Sequence, residues 1–271
     1  MRLAVSNIAW QAEDDDRVLA ALADEGVDAI EVAPTRLAPD PTSISAAEAR
    51  SIRKAFESRG IEIVSMQSLL FGQPDLRLFG SDADRDQLLD YLAKIITLSG
   101  HLGAEKLVFG SPRNRLLPGA PARSQDLAAA TDFFRRAGSL AYAVGAVLCI
   151  EPNPVAYGCN FVVTTDEGIQ LVDAVDHAGF GLHLDAAGST LAGENIEASV
   201  HAAGTRIQHF HASAPELGML ETEVVDHAGA SRALRATGYS GFISIEMRSS
   251  DSDTNEQRVR DAIHLARHAY L

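Results

Sequence analysis

Cysteine is scarce: two residues in a chain of 271 cannot build a disulfide framework. No apolar run reaches membrane-spanning length, so no membrane partner is expected. Positive charge is in deficit, with 23 Lys and Arg against 37 Asp and Glu, and a net charge of −14 argues against nucleic acid as a partner. The first residues, "MRLAVSNIAW", lack the long apolar core and small-residue cleavage site of a secretory signal, which predicts a cytoplasmic protein. No strand-like run leads into a G-x-G-x-x-G or G-x-x-x-x-G-K turn, so nothing here is built to hold a nucleotide. Linkers, low-complexity tracts and long charge runs are missing too, so residues 1–271 read as one domain.

What the chain does have is alternation. Eight short apolar runs read as strands: "RLAVSN" (2–7), "AIEVA" (29–33), "IEIVSMQ" (61–67), "EKLVFG" (105–110), "AVLCIE" (146–151), "GLHLD" (181–185), "IQHFH" (207–211) and "FISIE" (242–246). Between them lie amphipathic segments, among them "SISAAEARSIRKAFESRG", where Ser45 and Glu48 form a capping box. Glycines 26, 60, 145, 204 and 238 sit where helices should stop. Eight βα units in one α/β domain of this length close most simply into a (β/α)8 TIM barrel; a doubly wound open sheet is the alternative. In a barrel, chemistry belongs at the carboxyl ends of the strands.

Four consecutive strands end in residues of one chemical kind: Glu151, Asp185, His211 and Glu246, spaced by about one βα unit each. Taken singly, each is an ordinary strand-end residue that caps a helix or pairs with an arginine. Together they bring three carboxylates and one imidazole to one rim, where mutual repulsion calls for a cation. Oxygen-rich ligation with one imidazole suits a single divalent metal, Mn²⁺ first, with Mg²⁺ or Co²⁺ next.

With these residues in view, the sequence resembles the xylose-isomerase-like TIM-barrel superfamily, the sugar phosphate isomerase/epimerase and AP-endonuclease-2-like group. The likeness covers nearly the whole chain and is carried by "GAVLCIEPNP", "GLHLDAAG", "IQHFHASA" and "GYSGFISIEMR". In layout it is similar to the ketose 3-epimerases. That resemblance implies that Glu151, Asp185, His211 and Glu246 bind the metal, and that Glu151 and Glu246 also move the proton on opposite faces of a ketose. Three positions depart from those enzymes. Gly188 stands where they have a His, Leu217 where they have an Arg, and a glutamate expected near Tyr157 is absent.

Other strand ends offer substrate-reading residues, each with a structural role as its equal. Arg113 and Arg115 in "GSPRNR" and Arg248 after Glu246 could clamp a carboxylate or phosphate. Asn153 and Tyr157 could bond sugar hydroxyls, Glu31 and Gln67 end strands two and three, and Trp10 could wall the pocket or pack under a loop. His183 and His209 should lie one layer below the rim as core histidines with their hydrogen bonds satisfied, with orienting Asp185 or His211 as a second role. Cys149 reads as barrel filling, Cys159 as a loop residue, and His227 with the other helical histidines as surface.

The function expected is a metal-dependent epimerase or isomerase of a ketose or ketose phosphate, acting through an enediolate. A dehydratase or lyase on a keto-sugar, cyclitol or glycoside uses the same first step and is the runner-up. An AP-endonuclease-like phosphodiesterase fits the charge poorly, and a non-catalytic sugar-binding role is the fourth option. The expected partner is a small carbohydrate, an anionic one not excluded; homo-oligomers are open, since barrels of this group often pair.

Overall fold

Runs rich in Val, Ile and Leu that are separated by stretches of helical period can pair only in parallel, through crossover helices. The computed structural model describes residues 1–119, 121–250 and 254–271. In it the strands are β1 (Arg2–Ser6), β2 (Ala29–Val32), β3 (Glu62–Met66), β4 (Lys106–Phe109), β5 (Val147–Ile150), β6 (Phe180–Asp185), β7 (Ile207–Ser213) and β8 (Phe242–Glu246). They pair in chain order, all parallel, and β8 returns to β1 from Arg2↔Phe242 to Val5↔Ile245, which closes the barrel. The chain is a (β/α)8 barrel, as expected. No helix among the described residues is long and apolar enough to cross a membrane.

Local chemistry sets the helix ends. Ser45 and Glu48 bond reciprocally at the start of the helix Ala46–Glu57, and Ser81 with Asp84 does the same for Asp82–Leu102. Each such cap contributes about 1 kcal/mol. Gly60, at φ +73, takes the left-handed turn between its helix and β3, a conformation that costs other residues about 1–2 kcal/mol. The final helix runs Asn255–Tyr270.

Alternation along each strand sorts the side chains. Outward residues such as Ile30, Leu148, Phe210 and Ile245 join Leu22, Leu92, Phe134 and Ile263 of the helices in one continuous apolar layer. Each of these side chains contributes about 1.5–3 kcal/mol by leaving water. The interior differs. A small cluster of Ala4, Ala29 and Val64, with Phe242 against it, fills the floor. Above the floor the interior is polar: Glu31, His183, His209 and Ser244 are all buried.

Two sequence expectations need correction here. β7 runs on to Ser213 rather than stopping at His211, because Ala212 and Ser213 still pair with Ile245 and Glu246 of β8. His227 is not a surface residue: it is buried, with Nδ1 2.7 Å from the Tyr270 hydroxyl. The helix that it begins packs that face against the last helix.

Candidate metal centre

Strand register delivers the donors. Asp185 pairs with His211 across β6 and β7, Ser213 with Glu246 across β7 and β8, and Glu151 follows β5 directly. His211 Nδ1 lies 3.3 Å from a Glu246 carboxylate oxygen and 4.0 Å from one of Asp185. One donor atom each of Glu151, Asp185, His211 and, unexpectedly, His183 lie within 4.8 Å of one another.

Each donor is held by a particular neighbour. Asp185 Oδ1 accepts from the Gly188 amide and so caps the helix Ala186–Leu191, while its Oδ2 accepts from the Ser213 hydroxyl. The capping role and a place in the cluster therefore use different oxygens of one carboxylate. Residues 186–188 are buried in that helix, so their small size serves packing under the rim rather than room for a ligand. The Glu151 backbone carbonyl accepts from Arg115 Nη2 at 2.6 Å, and Asn153 Oδ1 accepts from the same nitrogen at 3.0 Å. Gly110 abuts the Glu151 carboxylate so closely that a Cβ at position 110 would collide with it.

His211 is steered from below by Glu31, a residue whose sequence position at the end of β2 suggested loop closure or contact with a substrate. Glu31 Oε2 lies 2.8 Å from His211 Nε2 and accepts from the Ser244 hydroxyl at 2.7 Å, and Oε1 lies 3.1 Å from His209 Nε2. A carboxylate behind a ligating imidazole fixes its tautomer and orientation. Here it turns His211 Nδ1 toward Glu246 and Asp185, where that nitrogen has no hydrogen-bond partner among the described residues.

The electrostatics separate the rim from the tier beneath. Burial, then the charges of Glu246 and Asp185, push the Glu151 carboxyl up to about 8. Burial and Glu246 push Asp185 up to about 6. Burial opposes ionisation of Glu31 as well, yet His211 and His209 hold it well below the usual carboxylate range. Burial works against a charged His211, but Glu31 and Glu246 outweigh it and raise its pKa well above the ordinary imidazole value. Burial holds His183 neutral.

These features fit a divalent cation. Asp185 and Glu246 face one buried imidazole nitrogen, His211 Nδ1, with Glu151 in the same cluster, and a hard or borderline metal accepts carboxylate oxygen with imidazole nitrogen. Beside the cluster opens a cleft of about 480 Å³. Asn153, Tyr157, Ser213, Leu217 and Arg248 line it together with Glu151, Asp185 and Glu246. Among the described residues no hydrogen bond or ion pair ties the Arg248 guanidinium.

Several expected substrate contacts fall elsewhere. Arg115 is fully buried behind Glu151, drawn in by backbone and amide oxygens, and does not line the cleft. Arg113 is exposed outside the cleft wall. Trp10 packs under its loop and donates to Asp15 at 2.7 Å. Gln67 is buried, both amide atoms unpartnered, and lies off the cleft wall. His209 bonds Glu31, not Asp185 or His211. Cys149 is filling, its thiol pushed up to about 12 by burial. The sequence reading missed Ser213 and Ser244, although each sits two residues from a donor and so shares its inward parity.

The profile of the xylose isomerase-like TIM barrel family matches residues 19–268. Among curated proteins, L-ribulose 3-epimerase of Methylomonas sp. (strain DH-1) is 34% identical over 95 residues, which is 35% of this chain and 33% of that protein. The match thus spans about a third of the curated relative. Among solved structures, D-psicose 3-epimerase with D-tagatose from Clostridium cellulolyticum H10 superposes with a TM-score of 0.83 at 15% identity, covering 99% of both chains. The E. coli 3-keto-D-glucoside 4-epimerase gives 0.81 at 17% identity, again over 99% of both chains. At these identities the structures speak for the fold.

Proposed function

We propose, for a chain that belongs to the xylose isomerase-like TIM-barrel family, a divalent-metal-dependent epimerase or isomerase of a ketose or ketose phosphate. The observation that carries this reading is that donor atoms of Glu151, Asp185 and His211 lie within 4.8 Å of one another, with Glu246 3.3 Å from His211 Nδ1, beside a sugar-sized cleft. The names of the related epimerases support it.

Glu151, Asp185, His211 and Glu246 would hold the cation, Mn²⁺ first, with Mg²⁺ or Co²⁺ as alternatives. When bound, it would polarise the substrate carbonyl and offset the negative charge that grows as the neighbouring C–H bond breaks. The chain's own groups do the rest. Glu151 and Glu246 come from β5 and β8, with Asp185 and His211 between them in the ring, so the two glutamates reach a bound sugar from different sides. One carboxylate takes the proton and the other returns one to the opposite face, which inverts that carbon. Asn153 and the Tyr157 hydroxyl bond sugar hydroxyls, and Arg248 takes a phosphate or carboxylate where the substrate has one.

One observation keeps a dehydratase or lyase as the second reading. Gly188 and Leu217 stand where ketose 3-epimerases have a His and an Arg, so the metal set is kept while the sugar-reading residues are not. Proton NMR in D₂O, with the Mg²⁺-loaded protein and a panel of ketoses, ketose phosphates, keto acids and inososes, tests both. Exchange of the proton next to the carbonyl with an epimer as product is the expected result. Exchange followed by a dehydrated ketone selects the lyase, and no exchange on any member with metal bound overturns the enolising chemistry for that panel.

A further inference from the structure

His183 is the one histidine of the barrel interior that nothing explains. It is fully buried on an inward position of β6, two residues below Asp185. Among the described residues neither ring nitrogen has a hydrogen-bond partner. The other buried histidines do have partners: His209 and His211 on Glu31, and His227 on Tyr270. A neutral imidazole carries one N–H and one lone pair, and leaving such a group buried and unpaired is unfavourable. An aliphatic side chain would occupy the position without that cost.

Its surroundings show what the nitrogen faces. The His183 ring sits 4.1 Å from that of His211, centroid to centroid, at a steep 70°. A His183 nitrogen belongs to the same group of atoms, all within 4.8 Å of one another, as donors from Glu151, Asp185 and His211. Among the described residues no basic side chain and no hydroxyl bonds it; the His209 backbone lies near the ring without forming a full hydrogen bond, and the other groups within reach are acids and imidazoles.

We infer that His183 is a nitrogen donor of the same centre, so that the cation is held by two imidazoles as well as carboxylates. This rests on the metal-dependent reading above and extends it in a direction that sequence layout did not suggest. Its chemical consequence is selectivity. A second nitrogen makes the site softer than one imidazole among carboxylates, which favours Co²⁺ or Zn²⁺ over Mg²⁺.

The test counts nitrogens. Metal-free full-length protein is loaded with one equivalent of Cu²⁺ as a paramagnetic probe, and pulsed EPR reads the imidazole nitrogens coupled to it. Two are expected in the unaltered protein and one in His183→Gln. Competition titrations with Co²⁺ and Mg²⁺ run alongside, and His183→Gln should lose about tenfold or more in Co²⁺ affinity while Mg²⁺ affinity changes little. A single coupled imidazole in the unaltered protein overturns the inference without reliance on any variant, and so does an unchanged Co²⁺ affinity in a folded His183→Gln. Either result leaves the metal-dependent reading standing. A protein that binds no divalent ion overturns both.

Discussion

Glu31 and Glu151 are the same residue type, both inside one barrel, and their carboxyl groups behave in opposite ways. Glu31 sits in the tier beneath the rim with His211, His209 and Ser244 around it, and it stays ionised far into acid. Glu151 stands at the rim facing Glu246 and Asp185, and it keeps its proton up to about 8. Burial penalises charge at both places, so burial does not decide. The company does: the lower tier pairs its acid with imidazoles, while the rim has acids in excess and holds protons on them.

The sharpest way to break this contrast is at the rim. Asp185→Ala should abolish metal binding and lower kcat/KM by about 1000-fold or more while circular dichroism shows an intact barrel. A fully active variant would sink the assignment of Asp185. Next in size, Glu31→Ala strips His211, His209 and Ser244 of their shared acceptor, and should cost about 3–5 kcal/mol in urea denaturation. Glu31→Gln keeps the shape but not the charge, and should weaken metal binding by about 10–100-fold with less effect on folding. Equal stability for all three proteins would show that the lower tier does not depend on Glu31.

A pH series sharpens the comparison. In the folded, metal-free protein the Glu151 carboxyl is raised from the ordinary 4.5 to about 8, so the folded state binds that proton more tightly than the unfolded one. Its contribution is therefore fully present below about 4.5, declines as pH rises and is gone above about 8, and the melting temperature without metal should fall by several degrees between those pH values. Glu151→Gln should flatten the slope, leaving the smaller part from Asp185, which is raised to about 6. Saturating metal should reverse it, because the cation displaces the protons. A slope unchanged in Glu151→Gln would move the raised carboxyl elsewhere. The smallest expected effect lies at the cleft wall. Arg248→Met should raise KM about tenfold for a phosphorylated or carboxylated substrate and leave a neutral one unchanged.

The barrel and the meeting of Glu151, Asp185, His211 and Glu246 at one rim were legible in the sequence for one reason: each is written in a local pattern. Eight apolar runs, helix caps at Ser45 and stop-glycines are short-range signals, and acids or a histidine at the ends of "LCIE", "GLHLD", "IQHFH" and "FISIE" stand at fixed offsets from them. What could not be read depends on which groups meet once the ring has closed. Arg115 looked like a rim cation, but the Glu151 carbonyl and Asn153 oxygen drew it inside. Glu31 looked like a loop residue because its partners come from β7 and β8. His183 has the right parity in the sequence, but only the packing shows that neither ring nitrogen finds a hydrogen-bond partner among the described residues.

The bond between Glu31 and His211 joins residues 180 apart in the chain. During synthesis the acid is made long before the imidazole that will neutralise it, and before Ser244 as well. Contacts of such separation form late, since a long loop must close first. A barrel still missing its last two strands would therefore hold Glu31 with none of its three donors, a state better exposed to water than sealed inside. Closure of the ring and neutralisation of Glu31 are one event, so burial of that carboxylate among His209, His211 and Ser244 should report when folding ends.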